Sequence, residues 1–429
     1  MFGYDTIEYA SLTDVGIRRS HNQDAHATLL ASDEQQWQER GHLFVVADGM
    51  GAHAVGELAS ELAVGIIPHT YHKQAAQNGV PSLRKAFIEA NATIHAKGQQ
   101  NPEFSGMGTT GTALLLRPEG VWIGHVGDSR AYRIRAGRIE QLSFDHSLRW
   151  EMARRQGRDP DSLQGIASNV IVRSLGPEPL VDVDIEGPHP VQAGDMYLLC
   201  SDGLSGPVTD SEIGAITSIL PPAEACRALV GLANLRGGPD NITVLIIQVN
   251  EKPRHANPHG QGTAWYSRIP WPMAALLLGV LLAGGAWLLT SYSISPPLNL
   301  FVFLLAAAAI VMGVAGLLDF YSAEKRRLAD EPEAPPLPIY RQASCGVEQP
   351  FIEDLARFLN ASKQQIQEKQ WDADWTAYQL RTDAAEKLVA QGSLVEALRE
   401  YCQAVQLLAE TVQRQRPKGE VFQPLWDKR

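Results

Sequence analysis

Cysteine is scarce in this chain: 4 in 429 residues, widely separated and with no C-x-x-C pair. That excludes a zinc site or a disulfide framework built from them, and it fits a reducing compartment. Basic residues are outnumbered, 37 Lys and Arg against 48 Asp and Glu, for a net charge of −11. A nucleic-acid binder needs a basic footprint, so that class of partner is excluded. The N-terminus reaches Asp5 and Glu8 without an apolar run, and no secretory signal is read there.

Charge of either sign is missing from Ile269 to Leu318. Within that stretch Trp271–Leu289 and Leu300–Leu318 are each about the 20 residues a helix needs to cross hydrocarbon. A polar connection with two prolines separates them, so residues 269–319 read as a transmembrane hairpin of two helices. Arg254 and Arg268 precede it, and Lys325, Arg326 and Arg327 follow it, while the connection carries no basic residue. Positive flanks stay inside. The expectation is therefore a multi-pass protein of the inner (cytoplasmic) membrane with both soluble parts in the cytoplasm. Residues 251–268 and 320–340 read as linkers, the second charged and proline-rich.

What the chain does have is aspartate at the ends of apolar runs. Asp48, Asp202 and Asp240 stand in the settings VVADGMG, LLCSDGL and GGPDNIT, and Asp24 and Asp128 sit in similar turns. Leu43–Ala47, Met196–Cys200 and Thr243–Val249 read as buried strands. A carboxylate on the turn that closes a strand is a rigidly placed oxygen. Several together repel one another unless a cation neutralises them, and an all-oxygen set suits Mg²⁺ or Mn²⁺ rather than zinc. Any one Asp-Gly pair is also an ordinary turn; the joint pattern carries the argument.

The coarse pattern of residues 1–250 is strands with a few helices. Thr112–Leu116 with Val121–Val126, and Tyr132–Ile134 with Ile139–Leu142, read as hairpins. Ala54–Ile67 and Ser82–Lys97 read as helices, the second with Ser82 as its N-cap. Hairpins imply antiparallel sheets with helices packed outside, an α+β fold.

The motifs resemble those of the metal-dependent protein phosphatases of the type 2C class, in their bacterial form. The matching stretches are Gly16-Ile-Arg-Arg19-Ser-His-Asn22-Gln-Asp24, Ala47-Asp48-Gly-Met-Gly51-Ala-His53, Gly108-Thr109-Thr110 and Val126-Gly-Asp128-Ser-Arg130. Asp145-His146-Ser147, Arg173-Ser-Leu-Gly176, Ser201-Asp202-Gly203 and Asp240-Asn241 follow in the family's order. The resemblance implies a central β-sandwich of two antiparallel sheets flanked by helix layers over residues 1–250. It implies hydrolysis of phosphoserine and phosphothreonine in proteins, opposing a cognate Ser/Thr kinase, by water activated on two Mn²⁺ or Mg²⁺ ions. The metal ligands it implies are Asp48, the Gly49 carbonyl, Asp202 and Asp240. Asp128, with Asp202, matches either a third-ion site or a structural turn. Asp24 matches an acid that fixes metal-bound water, and Gln23 stands where many members carry an acid. Arg19 matches the phosphate clamp. His53 is either the proton donor to the leaving oxygen or a surface histidine. Arg149–Asn169 matches the variable flap over the site.

Residues 341–429 read as a small all-α domain facing the cytoplasm, with helices over Glu353–Lys369, Trp375–Ala390 and Leu394–Arg414. The last two resemble one tetratricopeptide repeat, or form a plain helical hairpin. Arg381 stands where the repeat usually carries an aromatic, and the tail is a candidate docking element for a protein partner. A pseudophosphatase or scaffold subunit of a membrane assembly is the non-enzymatic alternative, and the full set of aspartates weighs against it.

Overall fold

The structure, a computed structural model, describes residues 3–51, 54–163, 165–167, 170–250 and 337–415, together with positions 304, 307, 308, 311 and 314. The continuous apolar runs become strands because both of their faces are covered. In β3 (His42–Met50), Phe44 and Val46 point into the space between two sheets while Leu43, Val45 and Ala47 point under a helix layer. β10 (Met196–Cys200) and β11 (Ile242–Val249) divide the same way. Successive strand residues face opposite sides, so a strand buried on both faces is apolar throughout. Each such side chain contributes roughly 1.5–3 kcal/mol of burial.

One sheet has the order β1 (Ile7–Asp14), β11, β10, β7 (Arg130–Arg135), β8 (Arg138–Gln141), β12 (Arg341–Ser344). The other runs β2 (Asp24–Leu29), β3, β5 (Gly111–Arg117), β6 (Gly120–Val126), β9 (Asp184–His189), with the short β4 (Gly108–Thr109) on β3. All pairings are antiparallel. Beside α1 (Glu34–Glu39), the helices α2 (Ala54–Asn78) and α3 (Pro81–Gln100) cover the second sheet. α5 (Asp202–Ser205), α6 (Asp210–Ile219) and α7 (Pro222–Leu235) cover the first, and α4 (Leu148–Gln156) lies in the flap.

The expected sandwich is present, with three differences in the helices and tail. α2 continues past Ile67 and through Pro68 to Asn78. Ala59, Ala63, Ile67, Tyr71 and Ala75, spaced four apart, form one buried stripe, and this packing overrides the proline. Ser82 does not cap α3, which starts at Pro81 in the first-turn position that proline tolerates.

The tail is the larger correction. Its helices α8 (Gln349–Glu368), α9 (Trp375–Ala390) and α10 (Leu394–Gln415) form where the pattern placed them, and α9 and α10 pair. They do not make a separate domain starting at 341. Residues 337–429 group with 1–253 as one compact unit. α10 packs on α7 as well as on α9, so one helix serves two interfaces, and the repeat reading is not supported. Arg399 donates to the Ile219 carbonyl (3.1 Å), and Gln413 donates to Asp14 (2.7 Å).

The membrane expectation is also corrected. Trp271–Leu289, and Leu300–Leu318 but for five single positions, lie outside the described residues. Among the described residues no helix is long and apolar enough to cross a membrane. The multi-pass assignment, and the orientation derived from it, are not supported by that finding and are withdrawn.

At the α7–α10 contact, a Cβ built on Gly231 would lie 3.2 Å from Ala409 Cβ and 3.3 Å from Val405 Cγ1. Gly231→Leu should therefore wedge the tail off and cost about 2 kcal/mol in urea denaturation. Were the tail independent, the same change would instead stabilise α7 by about 1 kcal/mol through helix propensity. The sign of the shift decides between the two.

Candidate active site

The strand register brings the acids together. Asp24 opens β2 directly opposite Asp48 near the end of β3. Asp48 is fixed at its backbone: its N–H donates to Thr110 Oγ1 (2.8 Å), and its carbonyl accepts the Thr110 N–H (2.8 Å) and the Thr109 hydroxyl (2.9 Å). Asp202 begins α5 two residues after β10 ends. Gly203 follows because a Cβ there would sit 1.9 Å from the Asn241 carbonyl oxygen. Asp240 closes the turn before β11, and Gly16, at φ +76°, packs against its carbonyl. Asn241 ties this turn to the loop after β1. Its amide donates to Val15 and His21 carbonyls (both 2.9 Å), and its Oδ1 accepts the Gln23 N–H (2.8 Å). Ser201 donates to Asp24 (2.7 Å).

Assembled this way, the carboxylates perturb one another. Loss of hydration is the main cause at Asp24, Asp48, Asp128 and Asp202. Asp24 is pushed up to about 7 despite hydrogen bonds from Ser201 and Thr243, with Asp202 and Asp240 adding to the rise. Asp128 is pushed up to about 8, helped by Asp202 and Asp145, and Asp202 to about 6, helped by Asp240. Asp48 is raised well above the usual carboxylate range, with Asp24, Asp202, Asp128 and Asp240 all contributing after burial. Clustered carboxylates held in a water-poor cleft are what a cation would neutralise.

The donor set fits a hard divalent ion. Every group is an oxygen, and one oxygen each of Asp24, Asp128 and Asp202 is buried with no hydrogen-bond partner. Among the described residues no three ligating side chains are drawn together as a ready-made ion cage. Asp240 instead accepts from Arg19 Nη2 at 2.6 Å.

Asp24, Asp48, Asp128, Asp202 and Asp240 thus share one cleft, and Gly49 lies beside them against the Gly56 carbonyl. Arg19 stands at its rim, half-exposed, where Arg19, His21, Gln23 and Gly51 line a cavity of about 410 Å³. His53 lies outside the described residues. Two matching motifs serve the scaffold. Asp145 accepts from Arg130 (2.8 Å), and His146 takes the Gly127 N–H at Nδ1 (3.0 Å), leaving Nε2 for Asp184 (3.0 Å). Sequence reasoning did not give Thr110 and Ser201 their positioning work. Both stood in quoted motifs, and their hydroxyl chemistry was the available signal.

Comparison with known proteins bears on the same region. Residues 17–229 match the family model described as protein phosphatase 2C. The chain is 34% identical over 249 residues to the serine/threonine protein phosphatase PstP of Mycobacterium tuberculosis, covering 57% of this chain and 45% of that protein. It therefore spans less than half the length of that relative. With the serine/threonine phosphatase stp of Listeria welshimeri the identity is 35% over 244 residues, 56% of this chain and 94% of the relative. The crystal structure of the M. tuberculosis phosphatase PstP/Ppp superposes with a TM-score of 0.51 at 32% identity, over 57% of this chain and 99% of that one.

The raised carboxylates make stability depend on pH. A group whose folded pKa lies above its unfolded value loses stability as pH rises through the folded pKa. The buried histidines His42, His125 and His189, all lowered mainly by burial, act in the opposite sense, but only below their unfolded value of about 6.5. From about pH 7 to about pH 8.5 the aspartates act alone. In EDTA the melting temperature should fall across that window. Saturating Mn²⁺ should reverse the slope, because the ion binds the deprotonated set. A flat profile in EDTA would show that the carboxylates are not held close in solution.

Proposed function

The chain belongs to the protein phosphatase 2C family, metal-dependent phosphatases that use Mn²⁺ or Mg²⁺, and from that we propose that it hydrolyses phosphoserine and phosphothreonine in proteins. Such an activity reverses the work of a Ser/Thr kinase. The observation that carries the reading is the convergence of five aspartates from separate strand ends, three of them with a buried oxygen lacking a partner.

Asp48, as the acid facing all the others, would hold the two ions together with the Gly49 carbonyl, Asp202 and Asp240. Asp128 and Asp202 line a common groove and would be the pair to hold a third. Bound there, the ions would lower the pKa of water towards neutrality and so supply the nucleophile. The buried thiols do not compete for that role: burial pushes Cys226 and Cys402 up to about 12, and Cys200 higher still.

The chain's own contribution is positioning. Arg19, on the cleft rim, offers a guanidinium fork that matches phosphate oxygens. Asp24, clamped by Ser201, is placed to orient water by accepting its hydrogen. His53 is the residue assigned to protonate the leaving oxygen, on the strength of the motif alone.

Full-length protein should hydrolyse a phosphothreonine peptide with Mn²⁺ and lose the activity in EDTA. Asp48→Asn should lower kcat/KM on the order of 10³-fold, several kcal/mol of transition-state stabilisation at about 1.4 kcal/mol per tenfold. Hydrolysis that survives both treatments would remove the reading.

A further inference from the structure

The tail reaches the flap beside the aspartate cleft. β12 pairs with β8 at the edge of the first sheet, Arg341 opposite Gln141 and Ser344 opposite Arg138. Just before it, the Tyr340 N–H donates to the Gln141 carbonyl (3.0 Å), and the Cys345 N–H after it donates to the Gly137 carbonyl (3.0 Å). Both ends of this short strand are thus pinned, and its side chains project to fixed places.

Tyr340 packs edge-on against Phe144 (5.4 Å between ring centroids), and Phe144 in turn packs on Trp150 of α4 (5.3 Å). The Tyr340 hydroxyl donates to Glu186 of β9, so the same residue touches the second sheet. Arg341 pairs with Asp161, in the short 3-10 turn Pro160–Ser162 that ends the flap helix segment, and lies 3.8 Å from Asp210 at the start of α6. Two adjacent tail residues therefore hold the flap at two separate points. An isolated exposed ion pair is worth little, but here the cation belongs to a pinned strand and reaches two carboxylates.

The strand also walls a groove. A depression of about 460 Å³ is lined by Asp128 and Asp202, by Asp210, by the flap residues Arg149 and Asp161, and by Arg341 of β12. A phosphorylated side chain at the aspartates would lay its flanking residues along it.

We propose that Tyr340 and Arg341 are positioning residues that clamp the flap, and that β12 forms one wall of the groove taking the peptide flanking the phosphorylated residue, so that the tail sets specificity for peptide over small phosphate esters. The specificity half rests on the phosphatase reading above; the clamp does not. The family model ends at residue 229 and does not reach this strand, so the feature belongs to this chain's own extension.

The test uses the full chain in three forms: wild type, Arg341→Ala, and the conservative Arg341→Lys, which keeps a cation facing both carboxylates. Hydrogen exchange of residues 148–156 and 161–163 should quicken about fivefold in Arg341→Ala and stay within twofold of wild type in Arg341→Lys, while α7 keeps its protection as the folding control. With Mn²⁺, the ratio of kcat/KM for a phosphothreonine peptide to that for p-nitrophenyl phosphate should fall about fivefold in Arg341→Ala, through KM, and recover in Arg341→Lys. If Arg341→Ala fails to fold, Tyr340→Phe, which removes only a hydroxyl, takes its place with the same readouts. Unchanged exchange in the flap overturns the clamp, and an unchanged ratio overturns the groove wall. Wild-type protein that hydrolyses neither compound sinks the phosphatase reading and the specificity half with it, while the exchange data still decide the clamp.

Discussion

Everything in the catalytic half depends on holding carboxylates together against their own repulsion. Asp24 and Asp48 are paired by strand register, Asp202 by the turn after β10, and Asp240 by the turn before β11. No one of these would stay beside the others on a flexible loop, because Asp24, Asp202 and Asp240 each raise the proton affinity of Asp48, and Asp240 raises that of Asp202. The stiffness comes from backbone hydrogen bonds that do not involve the carboxylates: Thr110 on Asp48, and Asn241 on the loop between β1 and β2. Beneath them lie strands buried on both faces, which cannot slip by one residue without turning a full apolar face to the wrong side. Electrostatic cost at the cleft is thus met by packing further down.

The strands of this half were legible because a doubly buried strand is apolar throughout, as in Leu43–Ala47 and Thr243–Val249, and ends sharply at a turn acid. The grouping of the acids was legible because each stood in the same local setting. Helix ends were less so. The end of α2 is decided by a stripe from Ala59 to Ala75 that only tertiary packing reveals, and a proline there reads as a stop. The Arg19–Asp240 pair was invisible in principle, since 221 positions separate the partners.

The tail shows a different failure. Its helices could be read from periodicity, and α8, α9 and α10 lie close to their expected bounds. What the pattern did not carry was the partner of each apolar face. A long uncharged stretch and two linkers separate the tail from residue 250, which suggested independence. Yet Gly231 in α7 leaves room for Val405 and Ala409 to approach, and Arg341 joins a sheet whose other strands end by residue 249. Sequence separation is a poor guide to docking when loop closure grows only slowly costlier with length.

The Arg19–Asp240 contact ties the two themes together. Both side chains are partly exposed, and an ion pair in that setting is worth about 0–1 kcal/mol. On the phosphatase reading proposed above, exchanging Asp240 for a phosphate dianion would give up only a weak pair, while a guanidinium fork can make two hydrogen bonds to phosphate oxygens. The exchange would also release Asp240 towards the other acids. Arg19 resting on Asp240 would then link the arrival of an anion to the completion of the carboxylate set, since each move would make the other easier. A lysine at position 19 would retain the charge but lose the two-pronged geometry, so the linkage depends on the guanidinium and not on charge alone.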